Sequence, residues 1–269
     1  MDYHITIRNL IKVYRQGTIE VTALRGINLD IERGEFISIM GPSGSGKSTL
    51  MNVIGGISIP TAGSIQVDDE EISTYSQSQL ASYRRHKIGF MWQFANLLPD
   101  LNVIDNIRLA MHAAGKFKKS EVKPRAEKLL EDVGLLQRAD HRINQVSGGE
   151  LQRASLALAL ANDPEIVLAD EPTGELDTMT GDMIMELLGD LVKRYGKTMI
   201  IVTHSPEVGR MTDRTLIIQD GLIVKESGEQ VSVDAKGLLQ LPQDFAAQFA
   251  GKELKITQTR DGEIKLTTT

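Results

Sequence analysis

Four short runs of nearly uninterrupted apolar residues, many of them β-branched, punctuate the chain at 36–40, 88–92, 166–169 and 198–203. Continuous hydrophobicity, in place of the alternation of a half-exposed strand, predicts strands buried on both faces and hence a mostly parallel sheet flanked by helices. Segments 5–14, 21–31 and 63–67 alternate apolar and polar residues, with Gly17 and Gly34 between them, and predict a smaller antiparallel β subdomain at one edge. Between 102 and 146 the pattern turns helical around Leu129, Leu130 and Leu135, as an insert within the α/β core.

Near the end of the core, 214–219 and 222–224 flank Asp220-Gly221, a hairpin turn, and Ser227-Gly228 reads as a linker. The predicted boundaries are therefore one α/β domain over 1–226, with a helical subdomain at about 94–150, and a short β-rich C-terminal appendage over 227–269. In the appendage, 231–233, 253–259 and 264–266 are strand candidates and 245–249 is a short helix candidate. A piece of this size, near the ~40-residue limit for independent folding, is expected to dock or pair as a packing appendage.

Composition narrows the function. The chain has 269 residues, 41% of them hydrophobic and 25% charged, which is globular and neither disordered nor collagen-like. A net charge of −6 argues against bulk nucleic acid as the main partner. With no cysteine, disulfides, thiolate zinc sites and cysteine nucleophiles are excluded, in keeping with a reducing cytoplasm. Asp2, His4 and Arg8 stand where a signal peptide needs an apolar core, so secretion is not expected. The uncharged stretch 48–67 is broken by Asn52, Gly55, Gly56, Pro60, Gly63 and Gln66, and a bilayer span takes about 20 predominantly apolar residues. The six basic and two acidic residues between Lys116 and Lys128 read as a solvated helix face.

The chemistry starts at Gly41-Pro42-Ser43-Gly44-Ser45-Gly46-Lys47-Ser48, which fits G-x-x-x-x-G-K-[ST] between a predicted strand and a predicted helix opened by Ser48 and Thr49. Glycines let successive backbone N–H groups converge on phosphate oxygens, the helix start adds positive potential, Lys47 reaches the outer phosphates and Ser48 is a Mg²⁺ ligand. Such a loop serves kinases, GTPases and transport ATPases alike. The run 165–171 ends an apolar strand in Asp170-Glu171, one carboxylate to hold Mg²⁺ and one to polarise water, which favours hydrolysis over phosphoryl transfer to a second substrate.

Ser147-Gly148-Gly149-Glu150 opens the helical run 151–161, and alone it reads as a capping box. The order of a phosphate loop, Gln93 after a strand, Ser-Gly-Gly-Glu, Asp170-Glu171 and His204 after a strand resembles the ABC ATPases over residues 1 to 226. The resemblance implies a P-loop NTPase fold of the ABC nucleotide-binding type. It also implies ATP and Mg²⁺ as cofactors, and a sandwich dimer in which a second copy supplies Ser147, Gly148 and Gly149 to each nucleotide. Carried over residue by residue, Glu171 is the catalytic base, Gln93 contacts Mg²⁺ or the attacking water, His204 contacts the γ-phosphate and Tyr14 stacks on adenine; Ser48, Asp170 and Gln93 hold the metal.

Further similarity lies in 14–17, 21–26, the segment 88–93 with Asn96-Leu97-Leu98-Pro99, and Glu171-Pro172-Thr173-Gly174. It points to the lipoprotein-releasing, macrolide-exporting and cell-division branch of the family. That branch implies an ATPase lying peripherally on the cytoplasmic face beneath an integral membrane permease subunit with a large extracytoplasmic domain, with no direct nucleic-acid contact. Export is the leading expectation. A mechanotransmitting ATPase that regulates an extracytoplasmic process is the second, and a soluble ABC ATPase acting on nucleic acid or ribosomes is a distant third. Two departures stand out: Glu175 in the loop 174–177, where Asn or Ala is more usual, and Phe94 directly after Gln93, where the family places its aromatic two residues on.

Overall fold

The computed structural model describes residues 3–17, 19–228, 232–233, 239–240, 254–258 and 264–268. It divides into two units, Met1–Glu226 and Ser227–Thr269. The first contains a six-stranded sheet made of β3 (Phe36–Met40), β6 (Ile88–Met91), β7 (Ile166–Asp170), β8 (Thr198–Val202), β9 (Arg214–Gln219) and β10 (Leu222–Gly228), in the order β10-β9-β3-β8-β7-β6. β6, β7, β8, β3 and β9 run parallel to one another. The four apolar runs become four of these strands, and their burial explains the pattern. Val167, Ala169, Met199 and Ile201 face one hydrophobic cluster, while Ile166, Leu168, Ile200 and Val202 face another on the opposite side.

The first cluster is closed by α3 (Val103–Ala114), α4 (Lys119–Asp132), α5 (Gly148–Leu160) and α6 (Thr178–Tyr195). The second is closed by α1 (Lys47–Ile54) and by a four-stranded antiparallel sheet of β1 (Tyr3–Gln16), β2 (Ile19–Glu32), β4 (Ala62–Val67) and β5 (Glu70–Glu71), in the order β2-β1-β4-β5. This is the expected α/β architecture with an antiparallel β edge and helices inserted between β6 and β7. β1 and β2 run longer than their alternating cores because their exposed outer ends still pair, Arg15 with Glu20 and Tyr3 with Glu32. α2 (Gln77–Lys87) is held at its start by a reciprocal Ser76–Gln79 capping box, and α7 (Pro206–Arg210) follows β8.

In the second unit, β11 (Ser232–Val233) pairs antiparallel with β12 (Leu239–Gln240), and β13 (Leu254–Gln258) with β14 (Ile264–Thr268). The candidate helix 245–249 lies outside the described residues. Among the described residues no helix is long and apolar enough to cross a membrane.

Candidate functional site

Parallel strands bring their C-terminal ends to one edge of the sheet, where ligand crevices form. β3 feeds the loop 41–46 and then α1, β7 ends at Asp170 and Glu171, and β8 between them ends at Thr203 and His204. The ends are tied together: Thr203 N–H donates to Ile39 C=O at 3.1 Å and Glu171 N–H to Val202 C=O at 2.8 Å. β6, the neighbour of β7, delivers Gln93 to the same edge.

The phosphate loop depends on two of its glycines. Gly41 (φ 147°) lies so close to β9 that a Cβ would stand 2.0 Å from Ile218 O, and Gly46 (φ 109°) would place one 2.5 Å from Ala23 O. The hairpin turn buttresses the loop, because Gly221 N–H donates to Ser45 C=O at 2.9 Å while Gly221 C=O accepts Arg25 N–H at 2.9 Å. Ser45 is buried, Lys47 and Thr49 are half-buried, and Pro42, Ser43, Gly44 and Ser48 are exposed. Lys47 Nζ lies over the loop, donating to Gly41 O at 2.8 Å and Pro42 O at 2.9 Å.

Asp170 is half-buried at the strand end. Burial, then the neighbouring Glu171, push its pKa above the ordinary carboxyl value, with Lys47 partly opposing them. Glu171 takes a left-handed backbone conformation, φ 46°. Its Oε1 lies 2.8 Å from His204 Nδ1 and its Oε2 accepts the Thr203 hydroxyl at 3.2 Å. Since an ionised carboxylate only accepts, that contact puts a proton on Nδ1 of His204. Gln93 is fixed at both ends: its backbone C=O accepts Gln152 Nε2 at 3.1 Å, and its Nε2 donates to Glu175 Oε1 at 3.4 Å. Ser48, Asp170 and Gln93 offer a hydroxyl, a carboxylate and an amide oxygen, a hard oxygen set that suits Mg²⁺, and a dication relieves the unfavourable ionisation of Asp170.

Ser147 to Glu150 sit elsewhere. Ser147 Oγ caps α5 by accepting Glu150 N–H at 3.3 Å, Glu150 Oε2 accepts Ser147 N–H at 2.8 Å, and Glu150 Oε1 accepts Arg138 Nε at 3.0 Å. The Ser147 backbone N–H, then Arg138, hold Glu150 below its ordinary pKa. Gly148 faces Leu176 and Gly149 faces Thr180. Among the described residues, these hydrogen bonds stay within that cap and Arg138, and none reaches 41–49. Tyr14 is 43% exposed, with Lys12 Nζ 5.0 Å from its ring centre.

The structure therefore gathers residues 41–49, Gln93, Asp170, Glu171 and His204 and leaves Ser147 to Glu150 apart from the loop, while Tyr14 pairs with Val21 on β2, the strand whose Ala23 O packs against Gly46. Three supporting residues are absent from the sequence reading: Thr203, Gln152 and Arg138. Thr203 directly precedes His204 and Gln152 lies two positions after Glu150, whereas Arg138 stands far from any motif residue in the chain, and only the folded contacts show what each holds.

The family model described as ABC transporter matches residues 24–174. The chain is 47% identical to the ABC transporter ATP-binding protein YknY of Bacillus subtilis (strain 168), over 85% of this chain and 99% of that protein. It is 44% identical to the macrolide export ATP-binding/permease protein MacB of Chlorobaculum tepidum, over 89% of this chain but 36% of that longer protein. Among solved structures it resembles the ATP-binding cassette MJ0796 of Methanocaldococcus jannaschii, a dimer in a post-hydrolysis state bound to ADP and Pi, with TM-score 0.77 and 41% identity over 84% of this chain and 99% of that one.

Proposed function

The chain belongs to the ABC transporter family of ATP-binding proteins, and from that premise we propose that two copies close around two ATP molecules and drive a separate integral membrane subunit. The protein is an ATPase, with ATP and Mg²⁺ as its cofactors. In our reading residues 1–226 are the cassette, 94–150 its helical subdomain, and 227–269 an appendage that serves packing.

The backbone N–H groups of 41–46, Lys47 and the hydroxyls of Ser48 and Thr49 bind the phosphates, and Tyr14 stacks on the adenine. Ser48, Asp170 and Gln93 would hold Mg²⁺, which would supply neutralisation of charge on the outer phosphates. Glu171 accepts a proton from water as its oxygen attacks the γ-phosphorus, and the β–γ bridging oxygen leaves on ADP. His204 reaches the γ-phosphate through its second ring nitrogen while its Nδ1 stays on Glu171.

The observation that carries the dimer is the separation of the two anion-facing helix starts. The start of α1 belongs to the chain's own phosphate loop, whereas Ser147, Gly148 and Gly149 cap α5 with no tie to that loop among the described residues. The Gly148 and Gly149 N–H groups, with the Ser147 hydroxyl, are therefore suited to the γ-phosphate held by another copy. The MJ0796 dimer and the ATP-binding/permease name of the macrolide-export relatives support a self-dimer and a membrane permease. The permease we expect carries a large extracytoplasmic domain and recruits this subunit peripherally to the cytoplasmic face, for export. Affinity purification from gently solubilised cells tests this: an integral membrane subunit should copurify, and recovery of only ribosomal or nucleic-acid partners contradicts it.

A further inference from the structure

We propose that His4, Asp68 and Glu165 form a binding site for a divalent transition-metal ion of the zinc class, separate from the nucleotide site. The three come from two sheets of the first unit, with Asp68 N–H donating to His4 C=O at 2.9 Å within one of them. His4 is on β1, Asp68 follows β4, and Glu165 immediately precedes β7. Glu165 stands at the opposite end of β7 from Asp170, roughly 16 Å away along the strand. The ATPase chemistry uses none of the three.

His4 is 1% exposed, and its Nε2 has no hydrogen-bond partner. Its Nδ1 lies 2.6 Å from Thr198 Oγ1, which also accepts Gly34 N–H at 2.9 Å and lies 3.4 Å from Glu32 O. With the threonine proton given to Glu32 O, the imidazole proton sits on Nδ1 and Nε2 presents a bare lone pair. That lone pair faces Asp68 Oδ1 at 3.7 Å and Glu165 Oε2 at 3.6 Å. In the other tautomer Nε2–H is too far from either oxygen for a hydrogen bond. Burial, then Arg33, pull His4 below the ordinary histidine pKa and favour the neutral ring that binds metals.

A buried nitrogen lone pair and two carboxylate oxygens converging on one point call for a cation there. The three ligand atoms lie within 4.8 Å of one another. Around a tetrahedral dication with bonds of ~2.0–2.1 Å, neighbouring ligand atoms stand roughly 3.3 Å apart, a few tenths closer than the His4 distances. Two cations already flank the point. Arg33 pairs with Asp68 Oδ1 and lies 3.4 Å from Glu165 Oε2, the same two oxygens that face His4. Lys87 takes the outer pair, Asp68 Oδ2 at 3.3 Å and Glu165 Oε1 at 2.5 Å. The Arg33 side chain is 53% exposed and satisfies the oxygens without donating to Nε2, so it is a displaceable stand-in for the ion. On its outer side Asp68, with Lys87, borders a cavity of about 340 Å³. Imidazole with carboxylates selects zinc-class ions over Mg²⁺, which prefers oxygen alone, so the site does not compete for the nucleotide's metal.

The full chain, nucleotide-free and dialysed from a chelator, is titrated with Co²⁺ by visible absorption and with Zn²⁺ by calorimetry. One ion per chain should bind. Asp68→Asn should weaken binding by roughly tenfold or more, and Arg33→Ala should tighten it by removing the competing guanidinium. Zn²⁺ should raise the Tm of the unmutated chain and not that of Asp68→Asn. His4→Gln should abolish the bound-Co²⁺ spectrum. Should that buried variant misfold, the other two decide, since Arg33 is exposed and Asp68 only half-buried. No saturable binding, or binding that Asp68→Asn and Arg33→Ala leave unchanged, overturns the proposal and leaves the cluster as an ion-pair network.

Discussion

His204 Nδ1 lies 2.8 Å from Glu171 Oε1, and the neighbouring Thr203 hydroxyl holds the other oxygen at 3.2 Å. The two residues that follow β8 thus aim the carboxylate that follows β7. Thr203 also accepts Ser205 N–H at 3.1 Å, so its hydroxyl fixes the carboxylate and the turn into α7 together. Thr203→Val keeps the shape and removes both bonds. We expect hydrolysis to fall about tenfold at unchanged ATP affinity, with stability lower by about 1–3 kcal/mol for the orphaned buried groups. Thr203→Ser should restore both, as single-turnover kinetics and denaturant melts will show.

Lys47 supplies the only side-chain ammonium in the phosphate loop. Its hydrogen bonds to Gly41 O and Pro42 O hold it over the loop, poised for a charge-assisted contact to the outer phosphates. Such contacts are worth about 1.5–3 kcal/mol, so Lys47→Ala should weaken ATP by roughly 10- to 100-fold in calorimetry. Undiminished affinity would remove the loop from the nucleotide site.

Asp170 carries a stability signature. Its folded pKa is raised, so the native state holds the proton more tightly than the unfolded chain does. The stability linked to it is present below the unfolded pKa and is lost as pH rises through the folded pKa. Asp170→Asn should erase that loss on raising the pH. The variant should melt higher than the unmutated protein at neutral pH and without nucleotide, while Mg²⁺-dependent ATP stabilisation disappears. Equal melting at neutral pH contradicts an unfavourably ionised Asp170.

Much of the ATPase edge was legible because motif chemistry is local. Gly41 to Thr49 must be contiguous for backbone N–H groups to converge, and Asp170-Glu171 must follow an apolar strand directly. The apolar runs were legible for a related reason: alternate residues of β7 and β8 serve two cores, leaving no polar positions. α2 gives no such signal, since only Leu80 and Tyr83 are buried and its identity lies in the cap. α6 buries Ile184, Met185, Leu188, Leu191 and Val192, a period of 3.6 that a reading built on apolar runs passes over. The His4 cluster is illegible, because β1 and β4 must pair to bring Asp68 beside His4 and the second sheet must pack on the first to bring Glu165.

Glu175 accepts from Gln93 Nε2 at 3.4 Å, across the loop that in our dimer reading approaches its symmetry mate. Two glutamates there repel, and salt screens them with a Debye length of about 8 Å at physiological ionic strength. Glu175→Asn should therefore promote ATP-dependent dimerisation at low salt and flatten its salt dependence, by sedimentation across a salt series. An unchanged salt profile argues for a solvated side chain without that role.

The account turns on whether hydrolysis takes place between two copies, and Glu171→Gln isolates that step. Amide for carboxylate keeps the shape but removes the proton acceptor, which should slow hydrolysis by about 10²–10⁴-fold while leaving ATP bound. Light scattering of Glu171→Gln in saturating Mg-ATP should give the mass of two chains, reverting to one in ADP. A monomer under both conditions, with ATP bound, would contradict the shared-nucleotide dimer.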